Sequence, residues 1–208
     1  MFKITPSSKL TVMCFHFVKS RIIKLVIHLI WKVGKSITML AIKEQLNTNR
    51  KYLLSVLGGL SYSQLNWKPN ENKWSIAQIV QHIATVEGGA AQIIQLGLAQ
   101  EPNFVPKDIP LEEIILDRSK KLNAPERLNP SAEPKTLEQL KEILQNSQAK
   151  FLSALSSIKD VSLLDKTAPP MPHPAFGQLS TNQWITAAPF HEQRHIKQIE
   201  EVKEQLKL

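Results

Sequence analysis

The sequence predicts an all-α protein: a four-helix bundle with long crossover connections, preceded by a basic amphipathic extension. Three capping boxes of the form Ser/Thr-x-x-Gln each open a segment whose apolar residues recur every three or four positions. No segment shows the sustained alternation of apolar and polar residues that is typical of half-buried strands. Two proline-rich stretches lie between predicted helices, so the connections are expected to be long crossovers rather than tight turns.

The helices follow in order along the chain. The first is predicted near 42–58, where leucine and valine recur at helical spacing before a Gly-Gly break. The capping boxes start the other three, which are predicted near 75–99, 136–158 and 181–206. The crossovers cover 100–135 and 165–179, and the first leaves room for a short helix around 111–122. Pro189 removes a backbone hydrogen bond from the last helix and predicts a kink or break there.

The positive charge of the chain is concentrated at its N-terminus. The formal net charge is +8, and residues 1–43 contain eight Lys/Arg side chains and no Asp or Glu. The other 165 residues hold the remaining 18 basic side chains and all 18 acidic ones, so their net charge is zero. No nucleic-acid partner is therefore predicted. We predict two regions, an extension at 1–43 and a bundle domain at 44–208.

The extension allows three interpretations. Basic side chains recur every three or four residues over 20–33 with apolar residues between them, which predicts a basic amphipathic helix. Its uncharged runs are too short to span a membrane. It is a weak membrane-surface contact, a cleaved targeting segment, or translated upstream sequence before a start at Met39. The single Cys14 cannot form an intramolecular disulfide, which fits a reducing compartment, and a cytoplasmic location is predicted.

Three of the six histidines occupy inward-facing positions of predicted helices. His191 and His195 are one turn apart in the last helix, and His82 lies in the second. A pair at i and i+4 shares one helix face with its Cβ atoms about 6 Å apart, and a third imidazole from a facing helix completes three ligands with one open position. The pattern predicts one divalent metal ion. Zinc, nickel and iron all suit nitrogen ligands.

The string from His191 to His195 reads HEQRH and also matches the H-E-x-x-H motif of zinc metalloproteases. Only 13 residues follow it, whereas those proteases take their third ligand C-terminal to the motif. The extended motif would need Gly and His where this chain has Gln198 and Glu201. We therefore predict that Glu192 is a surface residue rather than a general base, and that Arg194 is solvated or faces a dimer partner.

Several motifs of the body resemble the DinB-like superfamily, most closely its DinB_2-type branch. These motifs are NWKP at 66–69, KWSI at 73–76, HPAFG at 173–177, and the histidines with Gln198 on the last helix. The resemblance covers about 44–206. It implies a four-helix bundle with long crossovers and a divalent metal held by His82, His191 and His195. Gln78 stands where many relatives have Glu, so a carboxylate that could support the metal ligands there is absent.

Relatives of this kind include thiol-dependent S-transferases that use bacillithiol or mycothiol, isomerases, and proteins described as metal-dependent hydrolases. The resemblance implies a metal-dependent S-transferase that joins a low-molecular-weight thiol to a small electrophile, and it suggests a homodimer. A metal-dependent hydrolase is one alternative. A non-catalytic bundle that keeps the metal for stability or binds a partner is an alternative of another class. The sequence assigns no catalytic residue, and His173 is expected in a loop near the pocket mouth.

Overall fold

The computed structural model describes residues 39–121 and 124–207, and over these ranges the protein is helical, with a lone β-bridge between His173 and Gly177. Most of the predicted extension lies outside the described residues. The all-α prediction is confirmed. The helices are α1 (39–57), α2 (Tyr62–Asn66), α3 (Ile76–Leu98), α4 (Leu111–Leu116), α5 (Leu137–Ser156) and α6 (Thr181–Gln205), with single 3-10 turns at Glu126–Leu128 and Val161–Leu163.

Capping boxes start four of these helices. In each, a Ser or Thr side chain accepts a hydrogen bond from the backbone N–H of a glutamine three residues later, and that glutamine's side chain accepts one from the backbone N–H of the cap. Each cap satisfies two otherwise unpaired N–H groups, and losing such a cap costs about 1 kcal/mol. The three predicted boxes, at Ser75, Thr136 and Ser180, are confirmed. A fourth, at Ser61, starts α2, for which no helix was predicted.

Side-chain contacts between the long helices establish their directions. Asn49 contacts Pro189 and Lys203 contacts the carbonyl of Val56, so α1 and α6 run parallel. Lys43 contacts Ser156 while Arg50 contacts Leu144, so α1 and α5 run antiparallel. Gly97 at the end of α3 meets Thr181 at the start of α6, so these two are also antiparallel. Along the chain, the four long helices α1, α3, α5 and α6 therefore point up, down, down and up. Because α3 and α5 point the same way, the first crossover must run back along the whole length of the bundle.

The core lies between the four long helices, where leucine and isoleucine side chains are almost wholly excluded from solvent. Its main cluster includes Leu53, Leu57, Leu65, Ile76, Ile79, Ile83, Leu140, Leu144, Ile196 and Ile199. A second apolar cluster packs α4 against the N-terminal part of α6; its buried members are Leu111, Ile115, Leu179 and Ala187. No helix of the described ranges combines the length and the hydropathy that crossing a bilayer requires.

Two local predictions differ from the structure. The short helix of the first crossover ends at Leu116 rather than near 122, because the backbone is extended at Asp117, whose carboxylate accepts a hydrogen bond from the N–H of Ser119. The prediction at Pro189 was a kink or a break; the last helix continues through this residue, so a break is wrong, and a kink stays a prediction. The Asn49 amide donates to the Pro189 carbonyl at 2.9 Å, which ties this part of α6 to α1.

Candidate metal centre

The antiparallel packing of α3 and α6 brings His82, His191 and His195 together. One nitrogen from each ring lies within 4.8 Å of the others, and the Nε2 atoms of His191 and His195 are 3.1 Å apart. The ring centroids are separated by 4.4 to 5.2 Å. Among the described residues, this is the one group of three His, Cys, Asp or Glu side chains found close enough to share an ion. The structure therefore assembles the trio that the sequence singled out.

Hydrogen bonds fix the tautomer of two of the three rings. Nδ1 of His82 lies 2.9 Å from the carbonyl oxygen of Leu128, and Nδ1 of His195 lies 2.8 Å from Oε1 of Gln198. Both partners are acceptors, so each Nδ1 carries the proton and each Nε2 keeps its lone pair. Oxygen partners of this kind are what metal-binding histidines commonly have on the nitrogen that does not touch the metal.

The three imidazoles are held in the neutral form by burial. Burial lowers the pKa of His195 to about 3, with a further contribution from His82, and lowers that of His191 well below its usual value. The pKa of His82 is also lowered by burial, although its bond to Leu128 acts in the opposite direction. Neutral imidazole is the form that coordinates a metal, so no proton has to leave these rings before an ion binds near neutral pH.

The donor set fits a divalent transition metal. Two nitrogens at about 2.0–2.1 Å from a tetrahedral ion lie about 3.3 Å from each other. The 3.1 Å between the Nε2 atoms of His191 and His195 is close to that value. Three nitrogen ligands leave one position for water or substrate, whereas a structural zinc site is usually closed by four protein ligands.

One aromatic side chain contacts the trio, and a second aromatic group lies on the loop before α6. Trp74 packs against His82 with ring centroids 4.9 Å apart. Near the start of α6, the half-buried His173 stacks on Phe176 and packs against Trp184 at a tilted angle, and burial lowers the pKa of His173 to about 4. A cavity of about 470 Å³ lies between α4 and the first half of α6, and none of the three histidines lines it.

A buried ionic network lies beside the trio. Arg50 on α1 donates from Nη2 to Glu87 on α3 at 2.8 Å and from Nε to Glu192 on α6 at 2.9 Å. Arg50 also donates to the carbonyl of Leu144, and Ser147 donates to Glu87. The three charged residues are 3 to 7% exposed. Burial raises the pKa of Glu192 to about 7, and the Arg50 ion pair offsets only part of that effect.

Two predictions about this segment of α6 are wrong. Glu192 is not a surface residue, because it faces α1 and α3 and is 3% exposed. Arg194 is neither solvated nor free, because it donates to the carbonyls of Ile115, Asp117 and Lys120 at 2.6 to 2.7 Å and so ties the first crossover to α6. Sequence reasoning also missed Arg50. Its position four residues after buried Leu46 and three before buried Leu53 was a signal that it faces the core.

Comparison with protein families identifies the group to which this bundle belongs. The family model of the DinB superfamily matches residues 45–199, which is about three quarters of the chain. The chain belongs to the DinB superfamily. The resemblance inferred from the motifs is thereby confirmed, and the match contains all three histidines of the candidate site. Metal binding by those histidines stays a prediction.

Individual relatives agree with this assignment. YuaE, an uncharacterised protein of Bacillus subtilis, is 31% identical over 150 residues, which cover 72% of this chain and 90% of YuaE. The four-helix bundle protein TT2238 has a TM-score of 0.51 and 21% identity over 78% of this chain and 98% of its own. YfiT from Bacillus subtilis, described as a probable metal-dependent hydrolase with an unusual four-helix bundle topology, has a TM-score of 0.55 and 18% identity over 81% of this chain and 87% of its own. The two solved structures show the same fold.

Gln78 has a structural role in this DinB-superfamily chain, at the N-terminus of α3. Its side chain completes the capping box of α3 by accepting from the N–H of Ser75 at 3.2 Å, and it donates to the carbonyl of Ser131 at 3.3 Å. Gln78 is thus a helix cap that also anchors the end of the first crossover. The carboxylate nearest to the histidines in sequence is instead Glu192, which directly follows His191.

Proposed function

We propose that this protein is a metal-dependent enzyme that binds one divalent ion through His82, His191 and His195. Its open position would activate a low-molecular-weight thiol for transfer to a small electrophile. The observation that carries the proposal is the convergence of three neutral imidazoles from two helices, two of them with Nδ1 bound to a protein oxygen. Such a set holds an ion and leaves a position for a reactant.

The chemistry divides between the ion and the chain. A bound divalent ion would supply Lewis-acid chemistry: it would favour the deprotonated form of a coordinating thiol, and zinc in such a site can lower the pKa of water to about 7. The chain contributes orientation through the Leu128 and Gln198 oxygens, and it limits solvent because His82 and His195 are 3% and 9% exposed. In S-transfer, the thiol proton goes to solvent, sulfur bonds to the electrophilic carbon, and the leaving group departs with the electron pair of the broken bond.

Hydrolysis is the second candidate, and the description of YfiT favours it. The same three ligands would then hold an ion that activates water. The water oxygen bonds to the carbonyl carbon of an ester or amide, the C–O or C–N bond breaks, and the alcohol or amine leaves with one of the water protons. The two reactions are distinguished by their products, which are a thiol conjugate in S-transfer and a free acid with an alcohol or amine in hydrolysis. We propose to measure glutathione or cysteine conjugation to a chromogenic aryl chloride and hydrolysis of a nitrophenyl ester in parallel, with the zinc, nickel and iron forms. Conjugation supports S-transfer, ester cleavage supports hydrolysis, and neither in a fully loaded protein supports the non-catalytic alternative.

Metal content tests the site itself. Elemental analysis of protein purified without chelators is expected to show about one divalent ion per chain. His82→Ala removes one of three ligands and should weaken metal binding by orders of magnitude. His173→Ala is the matched control, because it removes a nearby half-buried histidine that belongs to another stack. Less than a tenth of an equivalent in the wild type with no uptake on titration, or full retention in folded His82→Ala protein, would overturn the site.

A further inference from the structure

The facing sides of α3 and α6 form a seam that runs from the three histidines to the contact between Gly97 and Thr181. Positions on the same helix face as the histidines recur every three or four residues. Between the two ends of the seam these positions are Val86, Gly89 and Ile93 on α3, with Trp184 and Ala188 on α6. All five are partly exposed, although they lie between two helices that pack against each other. The seam is therefore incompletely filled.

Two observations place empty space within the seam. A Cβ added at Gly89 would meet no atom of the described residues within 4 Å. Gly89 follows His82 by two helical turns, which is about 10 Å along the axis, and lies on the same face. A cavity of about 10 Å³ lies nearer to the trio, with Val86, Ala188 and His191 among its lining residues. Unfilled space is thus present both next to His191 and two turns further along α3.

The other sides of the trio are closed by contacts. Trp74 packs against His82 at the N-terminal end of α3, with ring centroids 4.9 Å apart. The carbonyl of Leu128 bonds to His82, and Gln198 bonds to His195 one turn further along α6. The buried ionic network occupies the side that faces α1. The direction that these contacts leave open is the seam towards Gly89.

We propose that the substrate of the metal site enters along this seam, and that Gly89 sets the size of the group that fits. None of the five side chains that line the seam is charged, and Trp184 offers an aromatic surface. The seam therefore suits a small uncharged molecule with an apolar or aromatic body, as ligand pockets lined by such residues usually do. A side chain larger than glycine at position 89 would project into the space that this body occupies.

The inference rests on the proposed function, because it requires an ion held by the three histidines. It does not depend on whether S-transfer or hydrolysis follows, since both reactions bring an organic substrate to the same ion. Binding of a non-reacting ligand can therefore test it. Hydroxamates are suitable probes because their two oxygens bind a divalent ion, while the methyl group of acetohydroxamate or the phenyl group of benzohydroxamate projects away from it.

The first experiment measures the affinity of both hydroxamates from the visible spectrum of cobalt-loaded protein. Wild-type protein should bind benzohydroxamate about tenfold more tightly than acetohydroxamate, because the phenyl ring loses more apolar surface to the seam. Gly89→Leu fills the seam, so benzohydroxamate should bind about tenfold more weakly than to wild type, and acetohydroxamate at most about threefold more weakly.

Gly88→Leu is the matched control. It adds the same side chain one residue earlier, on a helix face turned about 100° away, where a Cβ likewise meets no described atom within 4 Å. Both affinities should stay within about twofold of wild type, as expected for a change outside the seam. Equal benzohydroxamate affinity in Gly89→Leu and wild type, or an equal loss in Gly88→Leu, overturns this inference and leaves the proposed function intact. A wild type that takes up no cobalt overturns the proposed function and this inference with it.

The second experiment needs no substitution, so it does not depend on a variant that folds. Benzohydroxamate is added to zinc-loaded wild-type protein, and nitrogen-15 NMR follows the backbone amide of Gly89 and the indole groups of Trp184 and Trp74. The signals of Gly89 and Trp184 should move more than that of Trp74, which contacts His82 from the opposite end of the trio. A larger change at Trp74, or no change at Gly89 and Trp184, overturns the inference.

Discussion

The contact between Gly97 and Thr181 offers a sharp test of how α3 and α6 approach each other. A Cβ added at Gly97 would lie far inside van der Waals contact of Thr181 Oγ1, and 3.2 Å from both its Cβ and its Cγ2. Thr181 cannot yield easily, because it is 0% exposed and its hydroxyl is hydrogen-bonded to Thr167. Overpacking of this kind costs about 1–3 kcal/mol. Alanine recovers about 1 kcal/mol through its helix propensity.

Gly97→Ala should therefore lower the free energy of unfolding by up to about 2 kcal/mol, or a few degrees in Tm for a protein of this size. Gly88→Ala is the matched control in the same helix, because nothing lies within 4 Å of the Cβ it would add. The control should gain about 1 kcal/mol. Denaturant unfolding followed by circular dichroism measures both. A Gly97→Ala protein as stable as Gly88→Ala would refute the close approach, and the penalty should shrink in a Thr181→Ala background, where the obstructing hydroxyl is gone.

Three further predictions concern the site, the first crossover and the extension. Acidification should destabilise the metal-free protein: the pKa of His195 is about 3 in the fold against 6.5 in the unfolded chain, so the unfolded chain binds more protons below pH 6.5 and stability falls with pH. His195 alone contributes a loss of about 2 kcal/mol at pH 5, and His82 and His191 act in the same direction, while Glu192, whose pKa is raised to about 7 in the fold, acts in the opposite direction. The histidine effect is therefore measured in Glu192→Gln protein, and urea unfolding of that variant that is equal at pH 7.5 and 5 would contradict it. Arg194→Ala should cost about 2 kcal/mol and expose the first crossover to limited proteolysis, whereas Lys197→Ala, at an exposed position of the same helix, should do neither. A chain that starts at Met39 loses seven Lys/Arg and no acidic residue, so its net charge falls from +8 to +1, and its thermal stability and metal uptake should stay nearly unchanged if the extension is separate from the functional fold.

Local signals predicted the helices well because each capping box acts within four residues. Ser75, Thr136 and Ser180 begin their helices as predicted, and both hydrogen bonds of each box are present. The i, i+4 spacing likewise places His191 and His195 on one face. These features depend on neighbours in sequence, and a single chain carries that information.

Contacts between distant residues were not accessible in the same way. Arg50 is 37 residues from Glu87 and 142 from Glu192, and no local pattern links the three. The charge of Glu192 and Arg194 pointed to solvent, but both are buried: Glu192 pairs with Arg50 on α1, and Arg194 donates to three carbonyls of the first crossover. A charged residue on an apolar stripe needs such partners, so its position was informative even though its partners could not be named.

The division of the ligands between two helices bears on how metal exchange would proceed. His82 lies on α3, which packs along α5 in the main core, whereas His191 and His195 both lie on α6. Proteins open in cooperative segments whose stability is lower than that of the whole. Detachment of α6 alone would withdraw two of three nitrogens while the remaining helices stay packed. The lifetime of a bound ion would then follow the opening rate of one helix, and amide hydrogen exchange along α6 would report that rate.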